Sequence, residues 1–305
     1  MPALSMLFAS FMFAAMGAGV KLASAFYSTS EIVMYRGIIG TVLLLALVRL
    51  QGHSLRTPFP RQHLWRSIVG VSSLWMWFYA ISRLPLATAV TLNYMAPIWL
   101  SAWMLLTGWW QGKGIPEWPL VLAVAMSFVG VTLVLQPAAA TDAWVGGLVA
   151  IASSVVAAMA YLQVRKLGQM GEPEYRVVFY FSATMAVAGF VGTFFENGAA
   201  TPLHPLTWHG AGLLLAIGIP ALLAQIAMTR AYRLGKVLVI ANLQYTGIIF
   251  SSLWGMLLWG DVFDWHVWAG MAVILCSGIA ATFYNTRRTA RGAVVEDTDP
   301  IASEA

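Results

Sequence analysis

The chain has 305 residues, of which 60% are hydrophobic and only 10% charged, and its net charge is +5. Soluble domains carry about 25% charged residues, so this composition excludes a soluble protein. A basic surplus can mark a nucleic-acid surface, but here the cations follow membrane topology instead, and no nucleic-acid partner is expected.

Apolar runs of about 20 residues are long enough to cross a hydrocarbon core of roughly 30 Å at 1.5 Å per residue. Ten such runs recur between short polar breaks, at 3–24, 31–50, 65–82, 86–108, 117–136, 144–164, 175–195, 208–230, 238–259 and 265–285. The first, "ALSMLFASFMFAAMGAGV", lacks a positively charged n-region and is followed by nine more, so it reads as a resident helix. Lys21 at its outer end reads as interfacial. The second run carries Arg36 at a depth of about 7 Å by the helical rise. An arginine there is a functional residue by default, able to attract a substrate carboxylate or phosphate. Its alternatives are to snorkel outward or to pair with Glu31.

The third and fourth runs are separated only by "SRLP", where Pro85 presets a turn and stops the preceding helix. Joined, they would make 44 residues, too long for one crossing even with tilt. Trp75 and Tyr79 lie one turn apart on the third run and share a face. That face either packs against lipid and core or forms a cavity wall that stacks a planar group. On the fourth run Pro97 has no N–H to offer the carbonyl of Asn93, which is left free beside its own amide side chain and next to Tyr94.

With the N-terminus inside, 14 of the 17 Lys and Arg residues fall on the cytoplasmic side, among them Arg49, Arg56, Arg61, Arg66, Arg176 and Arg233. Only Lys21 and Arg83 fall outside, as the positive-inside rule requires. Both termini are expected in the cytoplasm, below an inner-membrane-type plasma membrane. The loop "RLQGHSLRTPFPRQHLWR" therefore reads as a cytoplasmic anchor. The single cysteine, Cys276, excludes an intramolecular disulfide. Residues 286–305 turn polar and read as a disordered cytoplasmic tail.

One stretch is written twice. "YAISRLPLATAVTLNYMAP" at 79–97 and "TRAYRLGKVLVIANLQYTG" at 229–247 share an Arg-Leu turn followed by a small-residue apolar helix, 150 positions apart. Because five is odd, a second five-helix unit enters the membrane inverted. The expected architecture is an all-α membrane protein of ten helices in two inverted five-helix repeats, 3–136 and 144–285. Inverted repeats are a transporter architecture, with the site near the midplane between the halves. The 150-residue offset matches Trp75 with Gln225 and Tyr79 with Thr229. It also sets Asn242, Gln244 and Tyr245 of the ninth helix against Asn93 and Tyr94 of the fourth. The candidate substrate-binding residues are thus Arg36, Trp75, Tyr79, Asn93, Tyr94, Pro97, Gln225, Asn242, Gln244 and Tyr245. The alternative role for the amides is to tie helices together, at about 0.6 kcal/mol per interhelical bond.

The two "RL" hairpins, Pro97 in the fourth helix, the arginine of "MYRGIIG" and the glycine of "FVGVTLVL" resemble the drug/metabolite transporter superfamily, in its EamA-type ten-helix branch. The resemblance spans roughly residues 3–285. It implies a secondary transporter, often an exporter of amino acids, nucleobases or related metabolites. The chain departs from the family pattern at Gln111, where an acidic residue is usual and Asp261 supplies it in the second copy. Gly247 stands where a second proline is common.

Other function classes find little support. "GWWQGKG" at 108–114 is one residue short of a phosphate loop and follows a membrane helix, so transport would run on a gradient or downhill. The five histidines sit in loops or at span ends, and no pair of carboxylates lies within spans, which argues against a membrane enzyme. No metal-ligand spacing and no cofactor fingerprint occur. The expected partners are the lipid bilayer and a small-molecule substrate, with the oligomeric state open between monomer and dimer. The alternative function is a channel or a non-transporting membrane interaction protein.

Overall fold

The computed structural model describes residues 2–96, 98–99, scattered positions between 103 and 133, and residues 141–197, 203–235, 240, 243–277 and 279–280. Among them every regular element is a helix: α1 (Pro2–Ala23), α2 (Thr29–Leu50), α3 (Pro60–Arg83), α4 (Leu86–Asn93), α5 (Thr141–Gln169), α6 (Glu174–Glu196), α7 (Trp208–Leu234), α8 (Thr246–Trp259) and α9 (Trp265–Ser277). Pro97, Gln111, Asn242 and the tail from 286 to 305 lie outside the described residues.

Local chemistry sets the helix ends. Ser28 caps α2 by accepting from the Glu31 N–H at 3.3 Å, while the Glu31 carboxylate accepts from the Ser28 N–H at 2.8 Å, a reciprocal capping box. The next two donors, Thr29 N–H and Ser30 N–H, reach the Glu196 carboxylate of α6 at 3.1 and 2.8 Å. Two carboxylates thus sit against the positive end of α2. Pro60 opens α3, where its missing N–H costs nothing. Leu84, placed before Pro85, is extended and ends α3. Gly260 closes α8 in the left-handed region at φ 65°, which a glycine adopts without strain.

Among the described residues, five helices, α1, α2, α5, α6 and α7, are long and apolar enough to cross a membrane, and α8 and α9 are shorter apolar helices. Their outer faces expose large apolar side chains such as Val42, Phe195 and Leu257, a surface that suits acyl chains rather than water.

The helices pair closely. α2 packs on α6, α1 on α7, and α3 on α5, while α4 touches both α5 and α8 and α1 also touches α8. Glycines let the backbones meet. A Cβ at Gly37 would stand 2.3 Å from the Ala186 nitrogen, and one at Gly189 2.4 Å from the Met34 nitrogen, so α2 and α6 approach as small-residue membrane pairs do.

Two helices are interrupted. α4 stops at Asn93, and Tyr94 and Met95 form a turn before helical geometry resumes at Ala96. Ahead of α8, the helical residues Leu243 and Gln244 are separated from Thr246 by a turn at Tyr245. The 150-residue offset carries 94–95 onto 244–245.

Candidate functional site

The two interruptions adjoin, through Tyr94 and Gln244, a partly enclosed cavity of about 60 Å³, room for several waters at roughly 10–15 Å³ each. Phe13 of α1, Trp77 and Leu74 of α3, Phe181 of α6 and Met228 of α7 form its apolar wall, and α5 contributes Ala157, Ala160 and Tyr161. The polar wall consists of Arg66 and Ser73 of α3, Asn93, Tyr94, Gln225 and Gln244.

Hydrogen bonds fix part of that wall. Asn93 Nδ2 donates to Ser153 Oγ at 2.6 Å, and Ser73 and Ser153 each donate to the other's carbonyl at 3.0 and 3.1 Å. Gln244 Nε2 donates to the Tyr161 hydroxyl at 2.8 Å, and Tyr232 donates to Gln244 Oε1 at 3.1 Å. Tyr161 and Tyr232 stack with centroids 5.5 Å apart. These bonds join α3, α4, α5, α7 and the segment before α8, and they hold the amides in fixed orientations.

Other polar groups are left open. Gln225 Nε2, Trp77 Nε1 and the Tyr245 hydroxyl are buried without a hydrogen-bond partner. So are Nε of Arg36 and both Nε and Nη1 of Arg66. The Arg66 guanidinium lies 4.1 Å from the centroid of the Phe181 ring, and that of Arg36 stands 5.7 Å from the same ring. Arg36 Nη1 meets the Met185 sulfur at 2.7 Å, and Arg36 lines a second cavity of about 10 Å³ together with Gln225.

The ten sequence candidates therefore separate. Asn93, Tyr94, Gln225 and Gln244 line the main cavity, and Arg36 lies outside that lining, 5.7 Å from the Phe181 ring centroid. Trp75 instead stands against α6, where a Cβ at Gly192 would meet its ring at 2.0 Å. Tyr79 lies under the Arg83 guanidinium, 5.3 Å from centroid to carbon. Tyr245 forms the second interruption and is buried, but it is not a lining residue. Pro97 and Asn242 fall outside the described residues. Arg36 neither snorkels nor joins Glu31: it is buried, and Glu31 is held by Ser28 and His204.

Sequence reasoning missed Arg66, Trp77, Tyr161 and Phe181. The sequence groups Arg66 with the cytoplasmic anchors, yet it is only 3% exposed. Its one signal is Gly70, a turn later on α3: a Cβ there would lie 2.1 Å from Arg66 Nη1. A bare glycine makes room for the guanidinium to lie along the helix into the cavity.

Polar networks tie both ends of the bundle. Glu172, between α5 and α6, accepts from Thr57 at 2.9 Å and from Arg176 at 3.1 Å, and pairs with His63 Nε2 at 3.0 Å. Burial alone would raise the Glu172 carboxyl, but the bonds from His63, Thr57 and Arg176 hold it below the usual carboxylate range. At the other end, the buried Glu31 accepts from the His204 N–H at 2.6 Å and pairs with its ring at 2.7 Å. Among the described residues no group of His, Cys, Asp and Glu could hold a metal ion.

A multi-pass helical bundle with a polar cavity at broken helices has the construction of a membrane transport protein. Comparison with known proteins makes the class specific. Residues 1–136 match the model of the EamA-like transporter family. A pseudopaline exporter of Pseudomonas aeruginosa is 35% identical over 89% of this chain and 92% of its own length. An uncharacterized transporter of Helicobacter pylori is 30% identical over 90% and 91%, and a riboflavin transporter of Vibrio cholerae 24% identical over 95% of each. A solved crystal structure covering 93% of this chain and 98% of its own superposes with a TM-score of 0.60 at 20% identity, which shows a shared fold alone. The chain belongs to the EamA-like transporter family, within the drug/metabolite transporter superfamily.

Proposed function

We propose that this protein is a secondary carrier that exports a small organic metabolite by alternating access. In this reading ten helices form two inverted five-helix repeats in the inner membrane, with both termini cytoplasmic, and the protein performs no covalent chemistry. The observation that carries the reading is the pair of helix interruptions, at Tyr94–Met95 and at Tyr245, which occupy matching places in the two copies, while Tyr94 in the first and Gln244 beside the second line one cavity. Discontinuous helices in corresponding positions of two halves are the usual mark of a carrier's binding site.

The helix pairing supports the repeat. Matching α1 to α5, α2 to α6, α3 to α7 and α4 to α8 turns the α1–α7 contact into α5–α3, and α1–α8 into α5–α4. The α2–α6 and α4–α8 contacts map onto themselves. Such self-paired contacts are what a two-fold axis between the halves produces. Export as the direction follows the Pseudomonas aeruginosa relative, named an exporter. The differing names of the relatives, for pseudopaline and for riboflavin, support a small organic cargo.

Counterflow tests this. Liposomes carrying the purified protein and loaded with a metabolite mixture should take up labelled substrate faster than empty ones, because a carrier returns loaded. A channel would show no such stimulation, and that result would overturn the carrier reading.

A further inference from the structure

The unpaired polar groups of the residues that line the main cavity are all of one kind. Arg66 Nε and Nη1, Trp77 Nε1 and Gln225 Nε2 are N–H donors, and among the described lining residues no acceptor is left buried and unpaired. A second guanidinium, that of Arg36, also lies near the Phe181 ring, 5.7 Å from its centroid. Both arginines are more than nine-tenths buried.

Neither cation is compensated by the protein. Among the described residues no carboxylate is within ion-pair reach of Arg36 or Arg66, because Glu31, Glu172 and Glu174 are engaged with His204, Arg176 and Arg233, and Glu196 holds the start of α2. The phenylalanine ring faces soften the cost of burial, but cation–π contact returns only about 1–2 kcal/mol. An isolated buried charge costs several kcal/mol after relaxation. A site built from two such charges and two further donors lacks an acceptor-rich, negatively charged occupant.

We propose that the cavity binds a small organic anion, whose carboxylate or phosphate is taken by Arg66 with Trp77 Nε1 and Gln225 Nε2, while its apolar body lies against Phe181 and Trp77. The planar guanidinium fork suits either oxyanion through paired N–H bonds. Arg36 does not touch the ligand; it adds positive potential from beside Phe181. This deepens the carrier reading and rests on it for calling the bound anion a substrate.

The test uses the full chain in detergent and compares matched probes: phenylacetate against phenylacetamide, and phenyl phosphate against phenol, scored by thermal stabilisation and by quenching of tryptophan fluorescence. The acids should bind at least tenfold more tightly than their neutral counterparts. The tighter acid then decides between a carboxylate and a phosphoryl group, and either outcome supports the site. Arg66→Gln should reduce the acid-over-neutral preference to under threefold, and Arg66→Lys should keep part of it. Equal binding of acid and neutral probe by the wild-type protein would overturn the proposal without reference to any variant. So would an intact preference in a folded Arg66→Gln protein. Counterflow on the same preparation keeps the two claims apart. Exchange that ignores the charge of the cargo removes the anion site and leaves the carrier, whereas acid-selective binding without exchange leaves the site and removes the carrier.

Discussion

Gly37→Ala should destabilise the protein by about 3 kcal/mol or more and sharply lower the yield of folded material, although it adds a single methyl group. The new Cβ would lie 2.3 Å from the Ala186 nitrogen and 2.8 Å from both the Ala186 Cα and the Ser182 carbonyl oxygen. All three are backbone atoms, so no side chain can turn aside, and α2 must move away from α6. Overpacking costs about 1–3 kcal/mol where neighbours can shift, and separating these helices also forfeits the dispersion contacts that hold membrane helices together. Gly212→Ala is the control, since nothing lies within 4 Å of a Cβ there. Melting temperatures in detergent should fall for Gly37→Ala and hold for Gly212→Ala. Equal melting would mean that α2 and α6 do not meet in this way.

Glu172→Gln should cost about 3 kcal/mol at neutral pH, because it removes the charge on which buried His63, Thr57 and Arg176 converge. The network also positions the segment after α2, since Arg176 donates to the Ser54 carbonyl at 3.1 Å and Tyr180 to the Leu55 carbonyl at 2.9 Å. The carboxyl is held below its ordinary value of 4.5, so its contribution is complete above that pH and is lost as pH falls through the lowered value. Wild-type stability should therefore drop on the acid side of pH 4.5, and the variant should lack that part of the curve. An identical acid profile in both proteins would show that Glu172 does not carry the network.

The limits of five runs, those at 3–24, 31–50, 144–164, 175–195 and 208–230, were legible because a membrane-crossing helix needs a set length and polarity. The helix in the run at 86–108 instead stops at Asn93, and the run at 117–136 lies largely outside the described residues. The run predicted at 3–24 became Pro2–Ala23, and that at 175–195 became Glu174–Glu196. Amides stand out in apolar sequence, so Asn93 and Gln244 were found, and the repeat itself pointed to Gln225. Direction was harder. Spacing puts Trp75 and Tyr79 on one face but does not say what that face meets. It turns toward Gly192 and Arg83, and Trp77, two residues on, reaches the cavity instead. The Glu31–His204 pair joins residues 173 positions apart, so no local pattern could show that Glu31 is unavailable to Arg36. Arg66 was hidden by its company. It follows a cationic loop, and only the space above Gly70 lets it fold inward.

The most direct measurement follows one cavity residue from both sides of the membrane. In a Cys276→Ala background, Ser73→Cys places a single thiol on the cavity wall. In oriented vesicles a membrane-impermeant maleimide should modify it slowly from either side, and bound substrate should suppress both reactions, because a carrier exposes one central site alternately. Labelling from one side only, or simultaneous free access from both without protection by any ligand, would contradict the account.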